Sequence, residues 1–272
     1  MLGVSLHASQ SAWAADNAPL TTNDSSPTVV SLSPACTETL SQLGMESVLI
    51  GRSSACDYPT NIVRLAVFGD FATPNIELLV RTKPDILIAN RFKTPTQAKT
   101  LEKAGIRVVN WEGNSVEDYR KSVVQLGELL KCPEAAQREI ERIDERMAQF
   151  DAMPALTTRV MCVIWDSPLM VAGKGALADE LLRTIKVTNV AGDVPQDYFK
   201  CSFDWVLKHP PDIIVWLAPP VEWATHRFWG RLAAVKEGRV ISGLNPDLVS
   251  RPGPRMFDGM EQLRKEIEDA SR

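Results

Sequence analysis

The chain holds three histidines and five cysteines, so metal or nucleophilic chemistry would have to be assembled from few residues. His7 lies in the leader, His209 stands before Pro210-Pro211 at a helix end, and His226 sits in an aromatic segment. A Ser-His-Asp hydrolase needs its serine on a strained G-x-S-x-G turn, and no such string occurs. Cys56 could pair with His209 or His226 only by arithmetic, because no local signature surrounds it. Cys36, Cys56, Cys132, Cys162 and Cys201 form no C-x-x-C pair, which a structural zinc site would require. Cys162 lies in an apolar run and reads as a buried small hydrophobe, while a Cys36–Cys56 disulfide stays open. Gly173-Lys174-Gly175 lacks the spacing and the Ser or Thr of a phosphate loop, and there is no dinucleotide-binding fingerprint. The expectation is no catalytic residue, no resident metal and no catalytic cofactor.

Binding chemistry is better represented. Aromatic residues stand in loops rich in Pro and Gly: Tyr58 in Asp57-Tyr58-Pro59, Phe68 and Phe71 around Gly69-Asp70, Tyr198 and Phe199 after Gly192-Asp193, then Trp223, Phe228 and Trp229. Loops on a rigid scaffold present binding groups, and an aromatic cleft with a few polar groups suits a large, flat, partly apolar ligand. Packing beneath their own loops is the alternative for each. A net charge of −4 without long basic runs argues against a nucleic-acid partner. No run of about 18 apolar residues would span a membrane.

These loops must be held by regular elements. Thr28–Leu32, Val48–Gly51, Asp85–Ala89 and Arg107–Val109 read as strands, and Thr37–Leu43, Asn75–Thr82 and Pro95–Ala104 as helices between them. That alternation predicts an α/β lobe over 27–132. Val116–Leu130 and Glu134–Phe150 carry no strand signal. In the second, Ala136, Ile140, Ile143 and Met147 form one apolar stripe on a charged helix, predicting a rigid connector over 133–153. A second α/β lobe over 154–272 is expected from Arg159–Trp165, Leu177–Ile185, Phe203–Lys208, Asp212–Leu217, Arg239–Ile241 and a terminal helix over Pro254–Ala270. Both lobes carry a Pro-Asp-apolar string, Pro84-Asp85-Ile86 and Pro211-Asp212-Ile213, a weak internal repeat. Residues 1–26 read as a signal-peptide remnant and flexible leader, with Ala12-Trp13-Ala14 offering a cleavage site before Ala15.

The string Val30-Ser31-Leu32-Ser33-Pro34-Ala35-Cys36-Thr37-Glu38 resembles the opening of periplasmic binding proteins for cobalamin, haem and ferric siderophores. Cys56-Asp57-Tyr58-Pro59, Pro74-Asn75-Ile76-Glu77, Lys83-Pro84-Asp85-Ile86-Leu87-Ile88 and Arg251-Pro252-Gly253-Pro254-Arg255 follow in that family's order. The match runs from about Thr28 to Leu263 and is most similar to the cobalamin branch.

The resemblance implies two Rossmann-like lobes joined by a long rigid helix, with ligand in the cleft between them. It implies a monomer in the periplasm that captures a corrinoid and delivers it to the transmembrane permease of an ABC importer. Ala55, Phe71, Met170, Tyr198 and Asp247, carried over position by position, join Cys56, Asp57, Tyr58 and Trp229 as the expected ligand-binding residues. Phe71 stands where the family has Trp, Met170 replaces an aromatic and Ala55 a Tyr, which leaves the corrinoid contacts open. Glu77 and Asp204 fall where the family docks on permease arginines, although a carboxylate there also complements a helix N-terminus. A haem or ferric-siderophore binder is the nearest alternative: Tyr58, His226 or Cys56 could approach a metal, and Arg52, Arg91 and Lys174 could meet an anionic ligand. A metal chelatase-like enzyme and a surface interaction protein with a dead cleft are the more distant ones.

Overall fold

In the computed structural model, residues 26–71, 73–90, 95–111, 113–223 and 226–272 are described. The leader with its cleavage site, and Arg91, lie outside these residues.

The first lobe is a five-stranded parallel sheet in the order β3-β2-β1-β4-β5. Its strands are β1 (Val29–Ser31), β2 (Leu49–Arg52), β3 (Ala66–Val67), β4 (Ile86–Ala89) and β5 (Arg107–Asn110), with helices α1 (Pro34–Gln42), α2 (Ile76–Thr82) and α3 (Pro95–Lys103) between them. Every residue of β1 and β4 is buried, as a parallel strand covered on both faces requires.

Two helices follow, α4 (Val116–Leu129) and α5 (Pro133–Asp151). Nineteen residues make α5 about 28 Å long. It packs on α4 and on the first helix of the second lobe, α6 (Leu177–Thr184). Its buried side chains are Ala136, Glu139, Ile143 and Phe150. Glu139 is an acid on an otherwise apolar stripe. It stays there because Tyr119 Oη donates to it at 2.7 Å and Arg142 grips it through Nε and Nη2 at 2.8 and 2.7 Å.

The second lobe is mixed. Its sheet runs β11-β10-β6-β7-β9, and β8 also pairs with β6. The strands are β6 (Arg159–Trp165), β7 (Met170–Ala172), β8 (Thr188–Asn189), β9 (Tyr198–Lys200), β10 (Ile213–Trp216) and β11 (Val240–Ile241). Helices α7 (Phe203–Lys208), α8 (Ala233–Lys236), α9 (Pro246–Ser250) and α10 (Met256–Ala270) complete the lobe. β6, β10 and β11 are parallel, whereas β7 runs antiparallel to both of its neighbours, β6 and β9.

The Pro-Asp repeat has a physical role in both lobes. Asp85 Oδ2 accepts from Thr28 N at 2.8 Å, and Val29 is registered against Ile86. Asp212 Oδ2 accepts from Arg159 N at 2.8 Å, and Val160 is registered against Ile213. Each aspartate thus ties the residue before the registered pair, at the same offset, onto its central strand.

Candidate functional site

In a parallel sheet all strand C-termini lie along one edge, and ligands of open α/β sheets bind beyond it. On the first lobe that edge carries Asp57 and Tyr58 after β2 and Phe71 after β3. The loop after β2 is stiffened from below. Arg52 Nη1 donates to the carbonyls of Ser53 and Cys56 at 2.9 and 3.1 Å, and its Nη2 to that of Val63 at 2.8 Å. Cys56 is fully buried beneath, with Thr37 Oγ1 donating to its sulfur at 3.2 Å. Tyr58 remains 45% exposed, so the loop turns Cys56 in and Tyr58 out.

Phe71 is displayed by a tight turn. Gly69 has φ of +133°, and a Cβ there would lie 2.4 Å from the Thr73 carbonyl, so only glycine fits. Thr73 N donates to Asp70 Oδ1 at 2.6 Å and closes the turn, leaving Phe71 46% exposed.

On the second lobe, Tyr198 opens β9 and is 42% exposed, while Met170 opens β7 and is half-buried. Tyr198 was expected in a loop; it is an edge-strand residue, registered against Ala172.

Two expected ligand contacts are corrected. Trp229 is 1% exposed, packed edge-on against Trp216 and Phe203, with its Nε1 donating to Asp166 at 2.9 Å. Cys56 is equally enclosed. Neither has surface to give a ligand. Arg52, spent on three carbonyls, is likewise not a receptor for an anionic ligand. Cys36 and Cys56 carry free thiols rather than a disulfide, and burial pushes the Cys36 thiol far above its ordinary range.

The lobes meet through an ion network that the sequence reading did not find. Glu38 of α1 is 1% exposed. Its Oε1 accepts from Arg251 Nη1 at 2.8 Å and from Arg255 Nη2 at 2.6 Å, and its Oε2 from Arg255 Nε at 2.9 Å. Arg251 also reaches Asp57 at 2.9 Å and Asp247 at 2.8 Å, and donates to the Ala55 carbonyl at 3.4 Å. The Arg255 guanidinium lies 4.0 Å over the Tyr58 ring, a cation–π contact. Both arginines flank Gly253, where an added Cβ would press on Ala35 of α1 at 3.3 Å. The hydrogen bond from Arg251 holds the Asp57 carboxyl below its ordinary pKa. Partial burial lifts that of Asp247 against the pull of Arg251. Ala55, Asp57, Tyr58 and Asp247 are therefore brought together, with part of their capacity used to join the lobes. Glu38 had one legible signal: it is the lone charge in α1, with no basic residue within four positions.

Glu77 and Asp204 are both exposed, in the first turns of α2 and α7. Matching caps precede them: Asn75 Oδ1 accepts from Leu78 N at 3.0 Å, and Ser202 Oγ from Trp205 N at 3.1 Å. Neither carboxylate has a partner among the described residues. Lys174 lines a polar cavity of about 760 Å³ with Asn114, Asp118, Asp179 and Asp193, so its charge is set among carboxylates.

A family model described as periplasmic binding protein matches residues 29–245. The chain belongs to this family. Its members are substrate-binding components of ABC importers, which bring small molecules to permeases. The vitamin B12-binding protein of Salmonella choleraesuis is 29% identical over 241 residues, covering 87% of this chain and 88% of that protein. The periplasmic vitamin B12-binding protein of Vibrio cholerae superposes with a TM-score of 0.75 at 23% identity, covering 91% of this chain and 98% of that one. The periplasmic heme-binding protein BhuT, in complex with two hemes, does so with 0.81 at 24%, covering 90% and 99%. At those identities the superpositions establish the fold.

Proposed function

We propose that this periplasmic binding protein is exported, captures a corrinoid of the cobalamin type between its lobes, and presents it to a membrane permease. The observation that carries the ligand class is a set of exposed aromatic side chains, Tyr58 and Phe71 on the first lobe and Tyr198 on the second. The arginines Arg52, Arg251 and Arg255 around the cleft are committed to protein acceptors. Such a site favours a large conjugated ring with neutral polar arms over a multiply anionic chelate, which would need free guanidinium groups. The Salmonella relative named for vitamin B12 supports the same ligand. Glu77 and Asp204, exposed and similarly capped, are proposed as the two permease-docking acids; exposed pairs of this kind serve register more than affinity.

Lobe motion on binding is expected to be small, because both α5 and the Glu38 network restrain it. Calorimetric titration with cyanocobalamin, haemin and a ferric siderophore tests the ligand. One-to-one submicromolar binding of cyanocobalamin alone is the expected result, and binding of another ligand alone overturns the corrinoid assignment. Mass spectrometry of protein recovered from the periplasm tests export: an N-terminus at Ala15 is expected, and an intact Met1 refutes the processing site.

A further inference from the structure

Trp165 is absent from the ligand-binding set that the sequence suggested, yet it is 50% exposed, more than Tyr58, Phe71 or Tyr198. We infer that its indole is the ligand-stacking platform of the second lobe, a role that rests on the cleft reading above.

Its position follows from topology. Trp165 is the last residue of β6, and β6, β10 and β11 are parallel neighbours. Their C-termini share one edge. The segment after β11 on that edge carries Asp247 and Arg251, and Arg251 reaches across to Glu38 and Asp57 of the other lobe. The edge therefore faces the first lobe, and Trp165 stands two strands, on the order of 10 Å, along it from the end of β11, the strand that leads into the ion network. Met170, registered directly against Trp165, extends the same surface with a polarisable apolar side chain.

The indole is also held ready. Its Nε1 donates to the Ser167 carbonyl at 3.0 Å, so its polar atom is satisfied by its own turn and the ring can stack without leaving a donor unpaired. The next residue, Asp166, is anchored by the hydrogen bond from Trp229 Nε1. Trp229 in turn is fixed in the Trp216–Trp223 cluster. The buried tryptophan thus secures the turn that presents the exposed one. A rigid aromatic platform gives up little side-chain freedom on binding, the usual reason aromatic anchors dominate recognition. A conjugated macrocycle would meet Trp165 on one side and the Tyr58 and Phe71 rim on the other.

The experiment is titration of wild type, Trp165→Ala and Trp165→Phe with cyanocobalamin and haemin, with thermal melts of each variant. Trp165→Ala is expected to raise Kd about 10- to 100-fold, as removal of a central aromatic anchor does. Trp165→Phe should stay within about fivefold of wild type, because the face is kept and only a local hydrogen bond is lost. Unchanged melting of Trp165→Ala shows that a loss of affinity is a loss of contact. Wild-type affinity in Trp165→Ala overturns the inference alone. If haemin binds in place of cyanocobalamin and Trp165→Ala weakens it, the platform stands and the corrinoid assignment falls. If wild type binds neither, both fall.

Discussion

Replacing Glu38 with alanine removes a carboxylate that is 1% exposed and leaves Arg251 and Arg255, 13% and 17% exposed, facing the gap. Three charge-assisted hydrogen bonds disappear together. Removing one partner of a buried ion pair costs about 3–5 kcal/mol, because the remaining charge is stranded in a poorly solvated place. Here the stranding is incomplete. Arg251 keeps Asp57 and Asp247, and Arg255 keeps the face of Tyr58. The expected loss is therefore at the lower end, about 3 kcal/mol. At about 2–4 °C per kcal/mol for a chain of this size, the melting midpoint should fall by about 6–12 °C. Circular dichroism melts and urea titrations of Glu38→Ala, Arg255→Ala and the double variant measure both the loss and its origin. The sum of the two single losses should exceed the loss in the double variant by at least about 1 kcal/mol, since both remove the two hydrogen bonds between Arg255 and Glu38. A Glu38→Ala midpoint within about 2 °C of wild type, or additive losses, would refute the network as a tie between the lobes.

Phe71→Ala and Tyr198→Ala should each weaken ligand binding by about 1–3 kcal/mol, the scale for losing a large apolar contact, and calorimetry checks it. Glu77→Ala combined with Asp204→Ala should abolish uptake in a reconstituted importer yet leave solution affinity unchanged; lost affinity would place these acids in the cleft. In the native protein Cys36 and Cys162 should resist alkylation, since both are buried and burial pushes the Cys162 thiol up to about 12. Cys132 and Cys201 should react first, and denaturation should release five thiols; only three without reductant would restore the disulfide.

The amino-acid string was enough wherever the deciding physics is local. The helices Asn75–Thr82 and Phe203–Lys208, the strand Arg159–Trp165 and the connector that became Pro133–Asp151 follow from side-chain periodicity and from local turn residues. The Pro-Asp repeat was visible as letters, though not as the tie between each aspartate and the start of its lobe. The short strands β8 and β9 were not legible, because the strands they pair with, β6 and β7, lie far from them along the chain. Nor was the exchange between Trp165 and Trp229. Both are indoles beside turns, and only packing against Trp216 and Phe203 buries one while the sheet edge leaves the other open. Glu38 and Arg255 stand 217 residues apart. Local sequence determined which segments would be helix or strand; the tertiary structure decided which charges meet and which aromatic faces stay free, because those depend on distances that exist only after both lobes have folded together.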